Sequence, residues 1–417
     1  MPRERTIAER TDPAAPAARE PSPNRLSPTR FVLVFGFVSA LGDIVYEGAR
    51  SVLGPWLGSL GASAAAIGLI TGAGEAIALG LRLVSGPLAD RTRRYWTIAF
   101  AGYALTFVAV PLMALAGSLA VATVLVLAER LGKAIRAPSR DAMLAEAGDV
   151  VGRGRAFAIH EAMDQTGAFT GPLVVAAMVA LGSYALGFGI LALPAAAALA
   201  LLAWLRRAVP RPERFGGDPG VHPAPDAGEA AALPGAFWRY LAFSAVTMLG
   251  FATFPVLGFH LADRDVLPVG LVPVVYATAM GVDALAALAS GRFYDRRGLR
   301  ALVVLPVLAA AVPWLAFSTA PAVAWAGALV WGVALGVQES TMRAAVADLA
   351  PRARRGTAYG LFSAAYGVGW LGGSALVGVL YDRSTTTAAV AVTAIEAVAL
   401  VVFLVLVLPG ARRAEVA

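Results

Sequence analysis

What most constrains this chain is a series of apolar segments, each about 17 to 25 residues long, that recurs from Phe31 to Leu408 with short breaks. That is the length of helix that crosses a hydrocarbon layer of about 30 Å. Twelve such segments can be marked, from Phe31–Leu53 at one end to Thr386–Leu408 at the other. A water-soluble fold of this size needs a polar shell, and a chain that is 58% hydrophobic and 15% charged cannot supply one. Its 44 glycines fall largely among apolar residues, where small side chains let helices approach closely in lipid. The expected fold is therefore an all-α integral membrane protein with twelve transmembrane helices.

The breaks divide the chain. Residues 1–30, rich in Pro, Ala, Arg and Glu, hold no apolar run and are expected to be a disordered cytoplasmic tail. The first apolar stretch carries Asp43 and Glu47, so it is expected to be a retained span and not a signal peptide. Residues 206–239 form an aperiodic, Pro- and Gly-bearing linker. It separates one six-helix bundle, 31–205, from a second, 240–408, followed by a short tail, 409–417.

Charge placement orients the chain. Arginines crowd the termini, the linker and alternate loops, whereas the intervening loops hold only Arg264 and Arg383. Lys and Arg stay on the cytoplasmic side of a membrane, which puts both termini and the linker there. The net charge of +7 thus follows from topology, with the lipid bilayer as partner and no nucleic acid. The absence of cysteine excludes disulfides, thiol catalysis and cysteine metal sites. Lys133, the sole lysine among 34 basic residues, reads as codon bias.

The two halves repeat one another. Gly86-Pro-Leu-Ala-Asp90-Arg91 returns as Gly291-Arg-Phe-Tyr-Asp295-Arg296, 205 positions later, each run following a span. Arg153-Gly154, Ala156, Gly167 and Gly171 align with Arg355-Gly356, Ala358, Gly369 and Gly373 at an offset of 202. Two matches at nearly one offset imply duplication of a six-helix unit, the architecture of secondary transporters with a polar site between pseudo-symmetric halves.

On these residues the chain resembles the major facilitator superfamily, and the resemblance extends from Phe31 to Leu408. Gly86 to Arg94 is similar to that family's signature between helices 2 and 3, lacking its second glycine; the counterpart keeps it as Gly298. Arg130 followed by Ala134 resembles the helix-4 motif, with alanine in place of glycine. Gly167-Ala-Phe-Thr-Gly171-Pro172 resembles a helix-5 motif associated with antiporters. The resemblance implies a bacterial efflux-type transporter of the plasma (inner) membrane, acting as a monomer on a small molecule and protons.

Ionisable residues inside spans are costly and mark pathways. Asp43 and Glu47 share a helix face with Tyr46 beside them, and Arg50 lies three beyond Glu47, close enough for a purely structural pair. Glu75 and Asp283 lie deep in the second and eighth spans, where a hydrogen bond to a neighbouring helix is the plainer role. Arg130, Lys133, Arg136 and Arg140 fall on one face of the fourth span, with Arg140 near enough to the interface to snorkel. Glu161 and Asp164, on the fifth span with His160, are expected to pair with Arg130. Gln338, Glu339 and Arg343 interrupt the tenth span. Proton coupling is expected among these carboxylates, since a movement that parts one from Arg130 or Arg343 favours proton uptake.

Other positions point to a gate. Gly86 and Gly291 permit tight helix exits. Asp90, with Arg91, and in the repeat Asp295 with Arg296, are expected on the cytoplasmic side, Asp90 against the N-terminal end of the helix that begins near Gly356. Gly167 and Gly171 fit close helix contact and Pro172 a bend.

No phosphate-binding Gly-Lys-Ser/Thr occurs. Gly72-Ala-Gly74 lies within a span and not after a strand, and His160, His222 and His260 are scattered. Neither cofactor nor metal is expected, nor an enzyme. The leading expectation is proton-coupled antiport, that is, efflux. Its alternatives are a proton- or sodium-coupled symporter, a lipid-handling membrane protein, and a sensor that has lost transport.

Overall fold

The computed structural model describes residues 24–215, 232–351 and 354–409. Its regular elements are helices: α1 (Pro28–Arg50), α2 (Leu53–Ser59), α3 (Ala64–Gly80), α4 (Arg82–Thr92), α5 (Tyr95–Leu112), α6 (Leu119–Val151), α7 (Arg153–Ala180), α8 (Tyr184–Ile190) and α9 (Ala192–Ala208) in the first half. The second half holds α10 (Gly235–Gly250), α11 (Phe254–Asp263), α12 (Val272–Arg297), α13 (Val304–Ala316), α14 (Pro321–Val337), α15 (Arg343–Leu349), α16 (Arg355–Arg383) and α17 (Thr385–Val402). Residues 1–23 of the expected first tail, 216–231 of the linker and 410–417 of the last tail lie outside the described residues.

Lipid offers no hydrogen bonds, so each turn must satisfy its own helix ends. Serines do much of this. Ser27, Ser63, Ser118, Ser183 and Ser384 each precede a helix and accept from the N–H three residues on. Nine stretches among the described residues are long and apolar enough to span a membrane. One of them, Val269–Ala316, has 48 residues and folds back after α12 into α13, making two crossings. The helices α6 and α7, of 33 and 28 residues, are long enough as well but more heavily charged. Read this way, the helices fit twelve spans, six in each half. The apolar run of the fourth span, Ala120–Ala137, is shorter than its helix: α6 continues through Pro138 to Val151.

The halves meet differently on the two faces of the molecule. On the face away from the termini they are shut. A methyl group on Gly54 in α2 would strike the Pro255 carbonyl of α11, one on Gly68 in α3 the Ser374 carbonyl of α16, and one on Gly378 the Ala64 carbonyl. Asp382, at the end of α16, accepts from the backbone N–H groups of Ala64 (2.9 Å) and Ala65 (3.0 Å). Ser63 accepts from Ala66 at 3.3 Å, so the first three N–H groups of α3 are satisfied, two of them by the other half. On the arginine-rich face the halves stand apart around a cavity. There Gly360 of α16 faces the end of the Leu83 side chain rather than backbone.

Candidate functional site

That cavity has a volume of about 700 Å³ and lies between the two bundles. Its first wall is ionic and is built by α1, α3 and α6. Glu75 accepts from Arg130 at 3.0 Å and from Arg50 at 3.1 Å, so one carboxylate holds two guanidinium groups from different helices. Arg130 also reaches Glu129 at 2.8 Å, and Arg50 lies 3.5 Å from Glu47. The remaining oxygen of Glu47 accepts a hydrogen bond from the Tyr276 hydroxyl of α12, which ties the first half to the second at this level.

Two cations take aromatic partners instead. The Lys133 ammonium sits 4.5 Å from the centre of the Tyr46 ring, and the Arg136 guanidinium 4.6 Å from that of Tyr103. Arg136 is 1% exposed, with Nε and one terminal nitrogen lacking an acceptor. Asp43 is buried beside them. Gly167 and Gly171 of α7 lie on the backbone of α1: a methyl group on Gly167 would come within 2.8 Å of the Asp43 Cβ, and one on Gly171 within 2.8 Å of the Ile44 Cα. The helix continues through Pro172.

The second wall comes from α14, α15 with the turn between them, and α16. Asp283 is 2% exposed and one of its oxygens has no hydrogen-bond partner. Between α14 and α15 a single wide π turn, Gln338–Met342, replaces regular helix and carries Glu339 to the cavity, with Arg343 at its end. Such turns interrupt helices frequently at functional sites. Gln338 is hydrogen-bonded to the Tyr366 hydroxyl. Along α16 the rings of Phe362, Tyr366 and Trp370 follow one another at 5.7 and 5.6 Å.

The structure brings Glu47, Glu75, Arg130, Glu339 and Arg343 to this cavity or its walls, with Asp43, Tyr46 and Asp283 behind them. The pairing of Arg130 differs from expectation. Arg130 binds Glu75 and Glu129, while Asp164 lies 3.7 Å from Arg140 and 3.3 Å from His160. Ten residues separate Arg130 from Arg140, about 15 Å of helix, so the acids of α7 meet the lower arginine and not the deeper one. Arg140 accordingly folds inward onto Asp141 and Asp164 instead of snorkelling. Glu161 is exposed and accepts from Gln165. Asp90, Arg91, Asp295 and Arg296 are exposed on the arginine-rich face, and Gly86 and Gly291 are half-buried; Asp90 is not paired with α16 in this conformation.

Three site residues, and one buried carboxylate away from the cavity, were not singled out from the sequence. Glu129 is masked by its neighbour Arg130, Arg82 by its place at the end of a span, and Tyr276 by looking like any apolar-span aromatic. Glu396 of α17 is 1% exposed against Gly250, without a hydrogen-bond partner among the described residues, and its signal was simply a carboxylate inside an apolar run.

Comparison with known proteins agrees with this architecture. The family model described as Major Facilitator Superfamily matches residues 32–282 and again 247–417. An uncharacterized protein of Mycobacterium tuberculosis is 55% identical over 386 residues, covering 92% of this chain and 94% of its own. Among solved structures, a peptide transporter of the POT type superposes with a TM-score of 0.74 at 16% identity, over 92% of this chain and 94% of that one. The nucleoside transporter NupG gives 0.73 at 14% identity, over 90% and 99%. At such identities the likeness concerns the fold.

Proposed function

The chain belongs to the major facilitator superfamily of membrane transporters, and from that premise we propose that it is a proton-coupled exporter of a small organic molecule working by alternating access. It lies in the bacterial inner membrane with its termini and linker on the cytoplasmic side, residues 31–205 and 240–408 forming the two moving bundles. The observation that carries this reading is the asymmetry of the seam: shut where Asp382 caps α3, open to a cavity of about 700 Å³ on the arginine-rich face. An exporter loads from that face.

Proton coupling is supported by the carboxylates around the cavity. Glu47 and Glu75 are held by arginines and a tyrosine, whereas Asp283 and Glu339 have no ion-pair partner among the described residues. A carboxyl that gains or loses a cation neighbour as helices move exchanges its proton with the bulk. Antiport is supported by Gly167 and Gly171, which lay α7 directly on α1 beside Asp43. In the alternate state Asp90 and Asp295 with their arginines close the cytoplasmic side.

The test uses proteoliposomes carrying a mixture of small organic solutes read by mass spectrometry. Asp43→Asn, Asp164→Asn, Asp283→Asn and Glu339→Gln are compared for accumulation driven by a pH gradient and for exchange without one. We expect one of them to lose accumulation at least tenfold while keeping exchange. Should all four accumulate solute like the parent protein, proton coupling through these groups is wrong.

A further inference from the structure

The charges that line the cavity do not cancel. Arg50, Arg82, Lys133 and Arg343 line it with Glu75, Asp141 and Glu339. Glu75 is already shared by Arg50 and Arg130, and Asp141 is held by Arg140 at 2.9 Å. Arg82, Lys133 and Arg343 are then left without a carboxylate in salt-bridge range among the described residues, against the single acid Glu339. Nε of Arg82 is buried and has no acceptor among the described residues, and Lys133 leans on the Tyr46 ring. Arg82 and Lys133 are partly buried while Arg343 is exposed at the cavity; a cation drawn from water without a counter-charge is expensive, and inside membrane proteins such groups serve a pathway or a ligand.

The facing wall is of another chemistry. Phe362, Tyr366 and Trp370 form consecutive rungs of α16, with Phe157 of α7 also lining the space. The rings are tilted by 50° and 36° to one another, and with Phe362 and Trp370 only 5% exposed it is the half-buried Tyr366 that offers most of the aromatic surface, whose ring face holds no site for a second anion. The volume lies within the range of about 300–1,000 Å³ usual for small-molecule sites.

We infer that the cavity takes an organic anion: an acid group, carboxylate, sulfonate or phosphate, held by Arg82, Lys133 and Arg343, on a ring-bearing body laid against the aromatic rungs of α16. This rests on reading the cavity as the substrate path. Arginine provides forked donors that match an oxyanion, and Lys133 adds a point charge on the same side. Glu339, one turn before Arg343, is placed to repel the acid group when ionised and to admit it when protonated, which makes anion and proton binding interdependent.

The chain has no cysteine, so Ser363→Cys places one thiol on the cavity wall. Its reaction rates with sulfonatoethyl and trimethylammonioethyl methanethiosulfonate are measured on purified protein and normalised to a free thiol. We expect the anionic reagent to be favoured about tenfold or more, and 2-naphthalenesulfonate to protect the thiol where trimethyl(2-naphthyl)ammonium does not. Arg82→Gln, Lys133→Gln and Arg343→Gln, made singly so that each variant still folds, should each lower the preference. Equal rates, a preference for the ammonium reagent, or a preference untouched by all three variants would overturn the assignment. Labelling needs no flux, so protein that passes this test yet moves no solute in vesicles would defeat the transport reading and leave the ligand class standing.

Discussion

The seam between the bundles is built from backbone on one face and from side chains and space on the other. On the arginine-poor face, Gly54, Gly68 and Gly378 each lie on a carbonyl of the opposite half, and Asp382 binds the exposed start of α3. On the arginine-rich face, the approach of Gly360 to Leu83 ends on a flexible side chain, and the rest is cavity. Backbone cannot move aside, whereas a leucine can turn. Closure on the first face is therefore sensitive to any added atom, and the two faces are set to fail differently under the same substitution.

The largest effect is expected from Gly68→Leu, because the new side chain meets the Ser374 carbonyl, which has nowhere to go. Nitroxides on Ser59→Cys in α2 and Asp263→Cys in α11 span this seam, and their distance distribution by pulsed spin resonance should shift at least about tenfold toward separation. Gly360→Leu, which displaces a side chain end, should change the same distribution less than about threefold. Equal responses from the two variants would show that the seams do not differ in kind.

A smaller effect belongs to Asp382→Asn. The amide still offers one oxygen but loses the charge that faces the positive end of α3, worth about 1 kcal/mol, or roughly a fivefold change in the closed population. The same spin pair reads it, and a population unchanged beyond error would leave Asp382 as a cap with no part in closure.

A separate comparison lies within the open face, between its two loops, and is read as stability and not as closure. Arg93 has φ 50° and ψ 20°, and Gly298, 205 positions on, has φ 57° and ψ −144°. The first conformation is strained for arginine but accessible; the second is one that glycine alone adopts readily. Gly298→Ala should lower stability by about 1–3 kcal/mol, while Arg93→Gly should be neutral or stabilising by about 1 kcal/mol. Thermal unfolding in one detergent ranks them, and the opposite order would remove the backbone explanation for the missing signature glycine.

The spans were legible in the sequence because length and apolarity are one-dimensional properties. Even α6 and α7, whose charges depress their hydropathy, stood out as helices with a polar face. The depth at which helices meet was not legible. Arg130 and Asp164 share suitable faces, yet antiparallel packing of α6 and α7 puts Asp164 beside Arg140. The same blindness applies to Glu75, which finds Arg50 and Arg130 from two other helices. Asp90 was placed against a helix start in the other half. That placement concerns the state closed to the cytoplasm; in the present conformation a contact of the same kind is made on the other face by Asp382, which the sequence did not single out. Lys133, placed by spacing on the polar face of the fourth span, stands in the cavity wall, a position that helical spacing alone does not give.

The glycine crossings have one more consequence, for what water meets when the shut face parts. Seams packed from leucine and phenylalanine would present fresh oil to the solvent at each opening, at about 25 cal/mol for every Å² uncovered. At Gly54, Gly68 and Gly378 the newly wetted surface is peptide, which water solvates as readily as the opposite half did. The apolar surface that opening uncovers lies beside these crossings, where Phe259 of α11 covers Gly58 and Leu371 of α16 covers Gly72, so any hydrophobic hold on the shut face belongs to those residues and not to the three glycine contacts.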